Sequence, residues 1–210
     1  KQLQYFKKNK FISVNFNEIE IENNKQFIIT FDDGYKDNLE NALPILKKYN
    51  FKATFFIVSK YIGKTNEWDQ KLKEYFKKDL LNNDNIFELI ENGMDIGSHT
   101  ESHKNLTTLT SQALYEEVVK SKVTLEEIFK KKINTFSYPY GRLNKISSNL
   151  IANNYDFAVT TVRSRYNIIK HKKNFIPRIN MDNNFSKIKM FMKFNTIYED
   201  IKYDETQLYL

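Results

Sequence analysis

The sequence predicts a single α/β domain built on a mostly parallel sheet, and three observations lead to this prediction. Apolar, strand-like runs alternate with helix-like segments from residue 26 to residue 180, as they do in βαβ units. The 210 residues are enough for one core, and no linker or internal repeat divides them. Polar residues suited to chemistry directly follow several predicted strands, where parallel α/β proteins build their active sites. We therefore treat residues 1–210 as one domain with its core at about 26–180, arranged as either a barrel or an open sheet.

The composition is that of an ordinary soluble globular protein, with 40% hydrophobic and 28% charged residues. The absence of cysteine excludes disulfides, thiolate metal sites and a cysteine nucleophile. The formal net charge of +7 raises the alternative of a nucleic-acid binder. Because the lysine clusters do not interleave with aromatic residues in a nucleic-acid motif, we expect a solvated basic surface and no nucleic-acid partner.

In the first half of the chain, the sequence pattern predicts that residues 1–10 form the end of a helix and that residues 11–14 form a short strand. A strand at 26–31 and a helix at about 38–49 follow, with Asp37 as a plausible N-cap. Pro44 lies inside that helix pattern, so the helix either starts late or is kinked there. The run 51–58 predicts a strand buried on both faces. Residues 59–83 are irregular, apart from a helical piece predicted around Leu72–Phe76.

The second half continues the alternation of helices and strands. Helices are predicted at about 84–92, capped by Asn83 or Asp84, at 111–130, capped by Thr110, and at 145–153. Strands are predicted at 94–97, 133–138, 155–160 and 175–180. Residues 186–210 predict a closing helix and a tail. No GxGxxG follows the first strand, so a dinucleotide-binding fold has no support.

Two adjacent carboxylates, Asp32 and Asp33, follow the strand at 26–31. Like charges this close raise each other's pKa unless a cation or hydrogen-bond donors stabilise them. The pair is therefore either a metal-binding or catalytic pair, or a simple turn closed by Gly34.

Two of the three histidines in the chain, His99 and His103, lie four residues apart after another predicted strand. On a helical turn such residues project from one face, so both imidazoles can bind one metal ion. Two histidines and one aspartate leave a fourth position open, which is typical of a catalytic zinc site. The second aspartate would then serve as a general base.

These motifs resemble those of the NodB-homology polysaccharide deacetylases, carbohydrate esterase family four. Thr30-Phe31-Asp32-Asp33-Gly34 matches the TFDDG motif of that family, and His99-Thr100-Glu101-Ser102-His103 matches its H-[ST]-x-x-H motif. Ser137-Tyr138-Pro139-Tyr140-Gly141 resembles its R-x-P-Y motif. The resemblance covers about residues 26–180 and implies a distorted (β/α) barrel of about seven parallel strands.

The resemblance also implies a role for each matching residue. Asp32 is the catalytic base, while Asp33, His99 and His103 hold a divalent metal ion, most often Zn²⁺. The backbone N–H of Tyr140 stabilises the oxyanion of the tetrahedral intermediate. The implied reaction hydrolyses N-acetyl groups on N-acetylhexosamine residues of a polysaccharide and releases acetate.

The sequence departs from the family pattern at two places. Ser137 stands where the family has an arginine that orients the base, so Arg178 is predicted to replace it, with Arg142 as the second choice. The alternative for Arg178 is a surface salt bridge. The family also uses a C-terminal histidine as general acid, but no histidine follows residue 180. We interpret His171 as a solvent-exposed loop residue, so water at the metal, Asp32 returning its proton or another residue must protonate the amine.

Several alternatives stay open at this stage. A catalytically weak glycan-binding homologue would keep the metal and the cleft, and an O-acetyl esterase would use the same site on a related carbohydrate. The aromatic residues Tyr35, Trp68, Tyr138 and Tyr140 either line a sugar-binding cleft by stacking or belong to the core. No apolar run is long enough to span a bilayer. The chain begins at Lys1 rather than Met, which leaves room for an upstream signal, and we expect a cell-envelope or extracytoplasmic location. The sequence specifies neither the glycan nor the oligomeric state.

Overall fold

Seven short parallel strands form two sheets in the computed structural model, which describes residues 1–20, 23, 25–181 and 186–202. The strands are β1 (Ile12–Ser13), β2 (Gln26–Phe27), β3 (Thr30–Phe31), β4 (Thr54–Ile57), β5 (Asp95–Ser98), β6 (Thr135–Ser137) and β7 (Phe157–Val159). The last five form one sheet in the order β3-β4-β5-β6-β7, and β1 pairs with β2. The large sheet curls into a half-barrel, which confirms the predicted distorted barrel.

Helices connect and flank the strands. They are α1 (Gln2–Lys8), α2 (Lys36–Tyr49), α3 (Asn83–Glu91), α4 (Ser111–Tyr115), α5 (Ser121–Phe129), α6 (Lys145–Asn154) and α7 (Lys187–Asn195). A π-helical turn, Glu116–Lys120, joins α4 to α5, so these three segments form one continuous helix. This helix begins as predicted, because the Thr110 side chain accepts a hydrogen bond from the Ala113 N–H.

The hydrophobic core lies between the sheet and these helices. Every residue of β4 is buried, as predicted for a strand covered on both faces. One hydrophobic cluster contains a buried side chain from each described helix: Phe6, Leu39, Ile86, Leu114, Leu125, Ile151 and Met190. The described helices therefore share one core. Among the described residues, no helix is long and apolar enough to cross a membrane.

Two predicted elements of the first half differ from the structure. The strand predicted at 26–31 is two strands, because β2 pairs with β1 while β3 pairs with β4. The helix predicted around Leu72–Phe76 is wrong, since these residues form turns and irregular structure. Leu72 and Phe76 are 61% and 74% exposed, so no burial of an apolar face stabilises a helix there.

Hydrogen bonding and capping residues account for further differences. The strand predicted at 175–180 is reduced to a single bridge between Ile176 and Val159. The ladder stops there because the Arg178 N–H donates to the Val162 carbonyl, while the Thr160 carbonyl accepts from the Arg178 side chain. Helix α2 runs through Pro44 from Lys36, and Tyr35 rather than Asp37 is its N-cap. Helix α3 is capped by Asn82, whose side chain accepts from the Asn85 N–H, and not by Asn83 or Asp84. The predicted closing helix is α7, while the tail at 203–210 lies outside the described residues.

Gly97 in β5 allows its neighbours to pack closely. A Cβ at Gly97 would lie 2.4 Å from Thr135 Oγ1 and 2.6 Å from the Phe56 ring. Because both neighbours are buried, we expect Gly97→Ala to lower the free energy of unfolding by about 1–3 kcal/mol, measured by urea denaturation.

Gly63→Asn is a suitable control for this substitution. A Cβ at Gly63 meets Asn82 at an ordinary 3.6 Å, and asparagine tolerates the φ of +72° there. We expect its free energy of unfolding to change by less than about 1 kcal/mol. A wild-type unfolding curve for Gly97→Ala would contradict the close packing of β5.

Candidate metal centre

Three loops that follow parallel strands of the large sheet meet at its carboxyl edge. Asp32 and Asp33 follow β3, His99 and His103 follow β5, and the turn at 138–141 follows β6. Parallel strands end at the same edge, so residues far apart in sequence come together there. The structure thus brings together all the residues that the sequence nominated for metal binding.

Asp33, His99 and His103 form a compact cluster of metal-ligating atoms. Asp33 Oδ1 lies 3.3 Å from His99 Nε2 and 3.2 Å from His103 Nε2, and the three ligand atoms lie within 4.8 Å of one another. Zinc bonds of about 2.0–2.1 Å in a tetrahedron place neighbouring ligands about 3.3 Å apart. Both the chemistry and the spacing of this donor set therefore fit a tetrahedral divalent metal ion with one open position.

Each imidazole is oriented through its other ring nitrogen. His99 Nδ1 lies 2.7 Å from the Ser137 carbonyl oxygen, and His103 Nδ1 lies 3.2 Å from the Tyr140 hydroxyl. If Nε2 is the metal ligand, Nδ1 carries the proton and donates to these oxygens. Tyr140 therefore contacts the cluster through its side chain, which the sequence did not indicate.

The two histidines do not lie on a helix, so the helical spacing argument was wrong. They lie on an irregular loop in which Thr100 has a φ of 68° and His103 a φ of 59°. Asp33 and Tyr140 are also left-handed, with φ of 70° and 58°. Non-glycine residues adopt this conformation only where surrounding structure enforces it, and such residues concentrate at functional sites. The left-handed backbone conformations of this loop, rather than helical periodicity, direct the His99 and His103 side chains toward Asp33.

Opposing electrostatic effects set the protonation of the cluster. Burial raises the pKa of Asp33, but the hydrogen bonds and charges of His103 and His99 outweigh burial and hold that pKa well below its usual range. For His103, burial dominates and keeps its pKa below the ordinary value. Burial also lowers the pKa of His99, but the hydrogen bond between His99 and Asp33 and the charge of Asp32 raise that pKa overall. The carboxylate is thus ionised and His103 neutral, as metal ligands must be, whereas the raised pKa of His99 favours its protonated form, so metal binding there releases a proton.

Arg178 forms a two-pronged ion pair with Asp32. Its Nη1 and Nη2 atoms donate to Asp32 Oδ1 and Oδ2 at 2.8 and 2.7 Å. Burial raises the pKa of Asp32, but the charge and hydrogen bonds of Arg178 outweigh burial and hold it below its usual value. Asp32 is therefore an ionised carboxylate at neutral pH, next to the metal cluster.

The remaining donors of Arg178 anchor it to the surrounding strands. Nε donates to the Thr160 carbonyl at 2.8 Å, Nη1 to Thr30 Oγ1 at 3.2 Å and Nη2 to Ser137 Oγ at 3.4 Å. Ser137 is completely buried, so the small side chain in place of the usual arginine sits directly beside the guanidinium of Arg178. Arg142, the second choice from the sequence, is exposed.

Aromatic residues surround His103. The Trp68 and Tyr140 rings lie 4.9 and 4.8 Å from the His103 ring, on a side of the site reached from the irregular segment 59–83. Tyr140 is 52% exposed and Trp68 is partly buried, whereas Tyr138 is a core residue with 1% exposure. Sequence patterns could not place Trp68, because it lies on a single 3-10 turn, Glu67–Asp69, which carries no periodic pattern.

His171 is buried rather than solvent-exposed, which corrects the sequence interpretation. It is 5% exposed, stacks on Tyr166, and its Nδ1 accepts a hydrogen bond from the Asn167 N–H at 3.0 Å. The surrounding lysines suggested an exposed loop, but the turn at 167–171 folds the imidazole inward. Its exclusion as the general acid stays a prediction.

The sequence profile of the polysaccharide deacetylase family matches residues 20–159. A putative polysaccharide deacetylase of Bacillus subtilis (strain 168), YxkH, is 38% identical over 121 residues, which cover 58% of this chain and 39% of the relative. A poly-beta-1,6-N-acetyl-D-glucosamine N-deacetylase of Staphylococcus aureus (strain MSSA476) is 33% identical over 123 residues, which cover 55% of this chain and 40% of the relative. The chain therefore spans about two fifths of the length of these relatives.

Solved structures share the fold. The Streptococcus pyogenes deacetylase PplD, in complex with acetate, superposes with a TM-score of 0.80 at 24% identity, covering 92% of this chain and 84% of that one. The putative polysaccharide deacetylase BA0330 of Bacillus anthracis gives a TM-score of 0.78 at 24% identity, covering 92% of this chain and 59% of that one. The family profile matches more than half of the chain and includes the strand ends that carry Asp32, Asp33, His99 and His103. The chain belongs to the polysaccharide deacetylase family.

Proposed function

We propose that this protein is a metal-dependent hydrolase that removes N-acetyl groups from N-acetylhexosamine residues of a polysaccharide and releases acetate. The observation that carries the proposal is the ionised Asp32, paired with Arg178, directly beside the cluster of Asp33, His99 and His103. Membership of the polysaccharide deacetylase family supports the reaction class. The N-deacetylases of poly-beta-1,6-N-acetyl-D-glucosamine among the relatives support an N-acetylated polymer as substrate.

Asp33, His99 and His103 would hold the metal ion, and Zn²⁺ suits their two imidazole nitrogens and one carboxylate oxygen. When bound, such an ion supplies Lewis-acid polarisation of the acetamide carbonyl and lowers the pKa of water. The proposed division of labour explains why two adjacent aspartates differ in environment. Asp33 faces the histidines, whereas Asp32 faces the guanidinium of Arg178.

Asp32 takes the proton from the attacking water, because Arg178 keeps it ionised and aimed. The backbone N–H of Tyr140 donates to the oxygen that becomes negative in the tetrahedral intermediate, and one such donor contributes about 3 kcal/mol in comparable sites. In our proposal, Asp32 then returns its proton to the nitrogen as the C–N bond breaks. Acetate and the free amine are the products.

The same groups could hydrolyse an acetyl ester, so an O-acetyl esterase is the alternative within the enzyme class. A glycan-binding homologue with little activity is the alternative outside it. Acetate release from defined N-acetylated and O-acetylated oligosaccharides separates these possibilities. We also propose a cell-envelope or extracytoplasmic site of action, because N-acetylated polymers of that kind are accessible there, and cell fractionation would test it.

Metal binding should depend on the histidine cluster. We expect purified protein to bind about one Zn²⁺ ion per chain, and His99→Ala to abolish this binding, because removing one of three ligands leaves an incomplete set. Metal analysis after dialysis measures the stoichiometry. His171→Gln is the matched control, because it removes the third histidine of the chain outside the cluster and should leave metal binding unchanged. Wild-type protein that takes up no zinc would refute the metal site.

Activity should depend on Asp32 without changing metal occupancy. We expect Asp32→Asn to lower kcat by about 10²–10⁴, the usual contribution of a positioned general base. Acetate release measures the rate, and metal analysis of the same sample measures occupancy. Full activity in Asp32→Asn would show that another group takes the proton.

Arg178 should set the acid limit of activity. Without its charge, burial and the charge of Asp33 outweigh the opposing charge of His99 and raise the pKa of Asp32. As the pH falls, Asp32 is then protonated, and the enzyme inactivated, at a higher pH than in wild type. We therefore expect Arg178→Met to move the acid limb of kcat/KM upward by about 1–3 pH units, with a smaller move in Arg178→Lys, which keeps the charge. Arg142→Met, which changes an exposed arginine, is the control and should leave the profile unchanged. Equal profiles for Arg178→Met and wild type would contradict this role.

A further inference from the structure

The loop that carries His103 rests on a π-helical turn. Glu116–Lys120 interrupts an otherwise α-helical segment, and Glu117 on this turn is only 3% exposed. A buried carboxylate is costly unless hydrogen bonds or opposite charges compensate for the lost water. The contacts of the Glu117 carboxylate therefore show which part of the molecule it stabilises.

The hydrogen bonds and the ion pair of the Glu117 side chain join it to the loop around His103. The Ser102 N–H donates to Glu117 Oε2 at 2.7 Å, and the Ser102 hydroxyl donates to Oε1 at 2.5 Å. Lys104 Nζ lies 3.1 Å from Oε1. The two residues that flank His103 in sequence are thus both bound to one carboxylate.

The backbone of the π turn holds the same loop. The Glu101 N–H donates to the Glu117 carbonyl at 3.0 Å, and the Tyr155 hydroxyl donates to the Val118 carbonyl at 2.8 Å. Two carbonyls of the turn thus accept hydrogen bonds from outside the helix, at a local break in regular α-helical bonding. On the opposite side, the Lys60 N–H donates to the Glu101 carbonyl at 2.9 Å, so the loop is held from two directions.

We propose that Glu117 is a positioning residue for the metal centre, which holds the loop 100–104 so that His103 reaches Asp33 and His99. The proposal rests on the metal site proposed above. Thr100 and His103 both have strained, left-handed backbones, which require enforcement by surrounding contacts. Glu117 supplies that enforcement through Ser102, the residue next to His103. Glu117 does not touch the cluster itself, so it acts only through the loop.

The experiment compares Glu117→Ala, Glu117→Gln and Ser102→Ala with Glu116→Ala in the full chain. Glu116 lies on the same π turn but is exposed, so its variant is the matched control. The Zn²⁺ dissociation constant is measured by competition with a chromophoric chelator, and folding by thermal unfolding of the metal-free protein. We expect about 10–100-fold weaker Zn²⁺ binding in Glu117→Ala, the range found when a group that orients a metal ligand is removed. Glu117→Gln should be intermediate, because its amide can still bind Ser102, and Glu116→Ala should match wild type.

A purely structural role of Glu117 predicts a different result. Thermal stability would then fall while the folded protein kept the wild-type Zn²⁺ dissociation constant, and this outcome would overturn the proposal. If Glu117→Ala does not fold, Ser102→Ala and Glu117→Gln test the same contacts with less lost volume, and wild-type Zn²⁺ binding in both would overturn it.

Amide hydrogen exchange separates failure of this proposal from failure of the metal site. We expect residues 100–104 of the metal-free Glu117→Gln variant to exchange faster than in wild type and in Glu116→Ala. If wild type binds no Zn²⁺ but exchange accelerates, the metal site is refuted while the loop restraint holds. Unchanged exchange in this segment would refute the restraint itself.

Discussion

The ion pair between Arg178 and Asp32 connects the two edges of the half-barrel. Strands β3 and β7 lie at opposite edges of the large sheet, and Arg178 binds Asp32 after β3 and the Thr160 carbonyl after β7. Both side chains are partly buried, and removing either partner leaves the other charge without its compensating contact, which destabilises the fold. The contact that keeps the proposed base ionised therefore also holds the site together, and the two roles cannot be varied independently.

Residues with strained backbones around the metal cluster are held in place by contacts from outside the cluster. Asp33, Thr100, His103 and Tyr140 have left-handed backbones although none is glycine. Each such residue costs of the order of 1–3 kcal/mol, which the rest of the structure must offset. Glu117 and the backbone of segment 59–60 hold the histidine loop, so a helix and a loop outside the site support ligands that they do not touch.

Regular elements and chemical motifs were predictable because both are local. The alternation of apolar runs indicated the parallel sheet, and Thr110 marked the start of the long helix through its own hydrogen bond. The predictions failed where distant contacts decide the structure. His171 is buried despite its lysine neighbours, and Leu72–Phe76 forms no helix in a structure where the Leu72 and Phe76 side chains stay mostly exposed. The strand predicted at 175–180 failed for the same reason, because the Arg178 N–H donates to the Val162 carbonyl and the Arg178 side chain donates to the Thr160 carbonyl.

The sequence by itself determined the fold class and nominated Asp32, Asp33, His99 and His103, since residue type and order along the chain carry that information. It also nominated Arg178 as the partner of Asp32, because Ser137 stands where the resembling family has an arginine and another cation must keep the base ionised. Only the tertiary structure decided how these residues meet: the 3.2–3.3 Å spacing of the ligand atoms, the contact of Tyr140 with His103, and the hold of Glu117 on the loop. These are contacts between segments far apart in the chain, and their geometry depends on how the sheet curls and the loops pack.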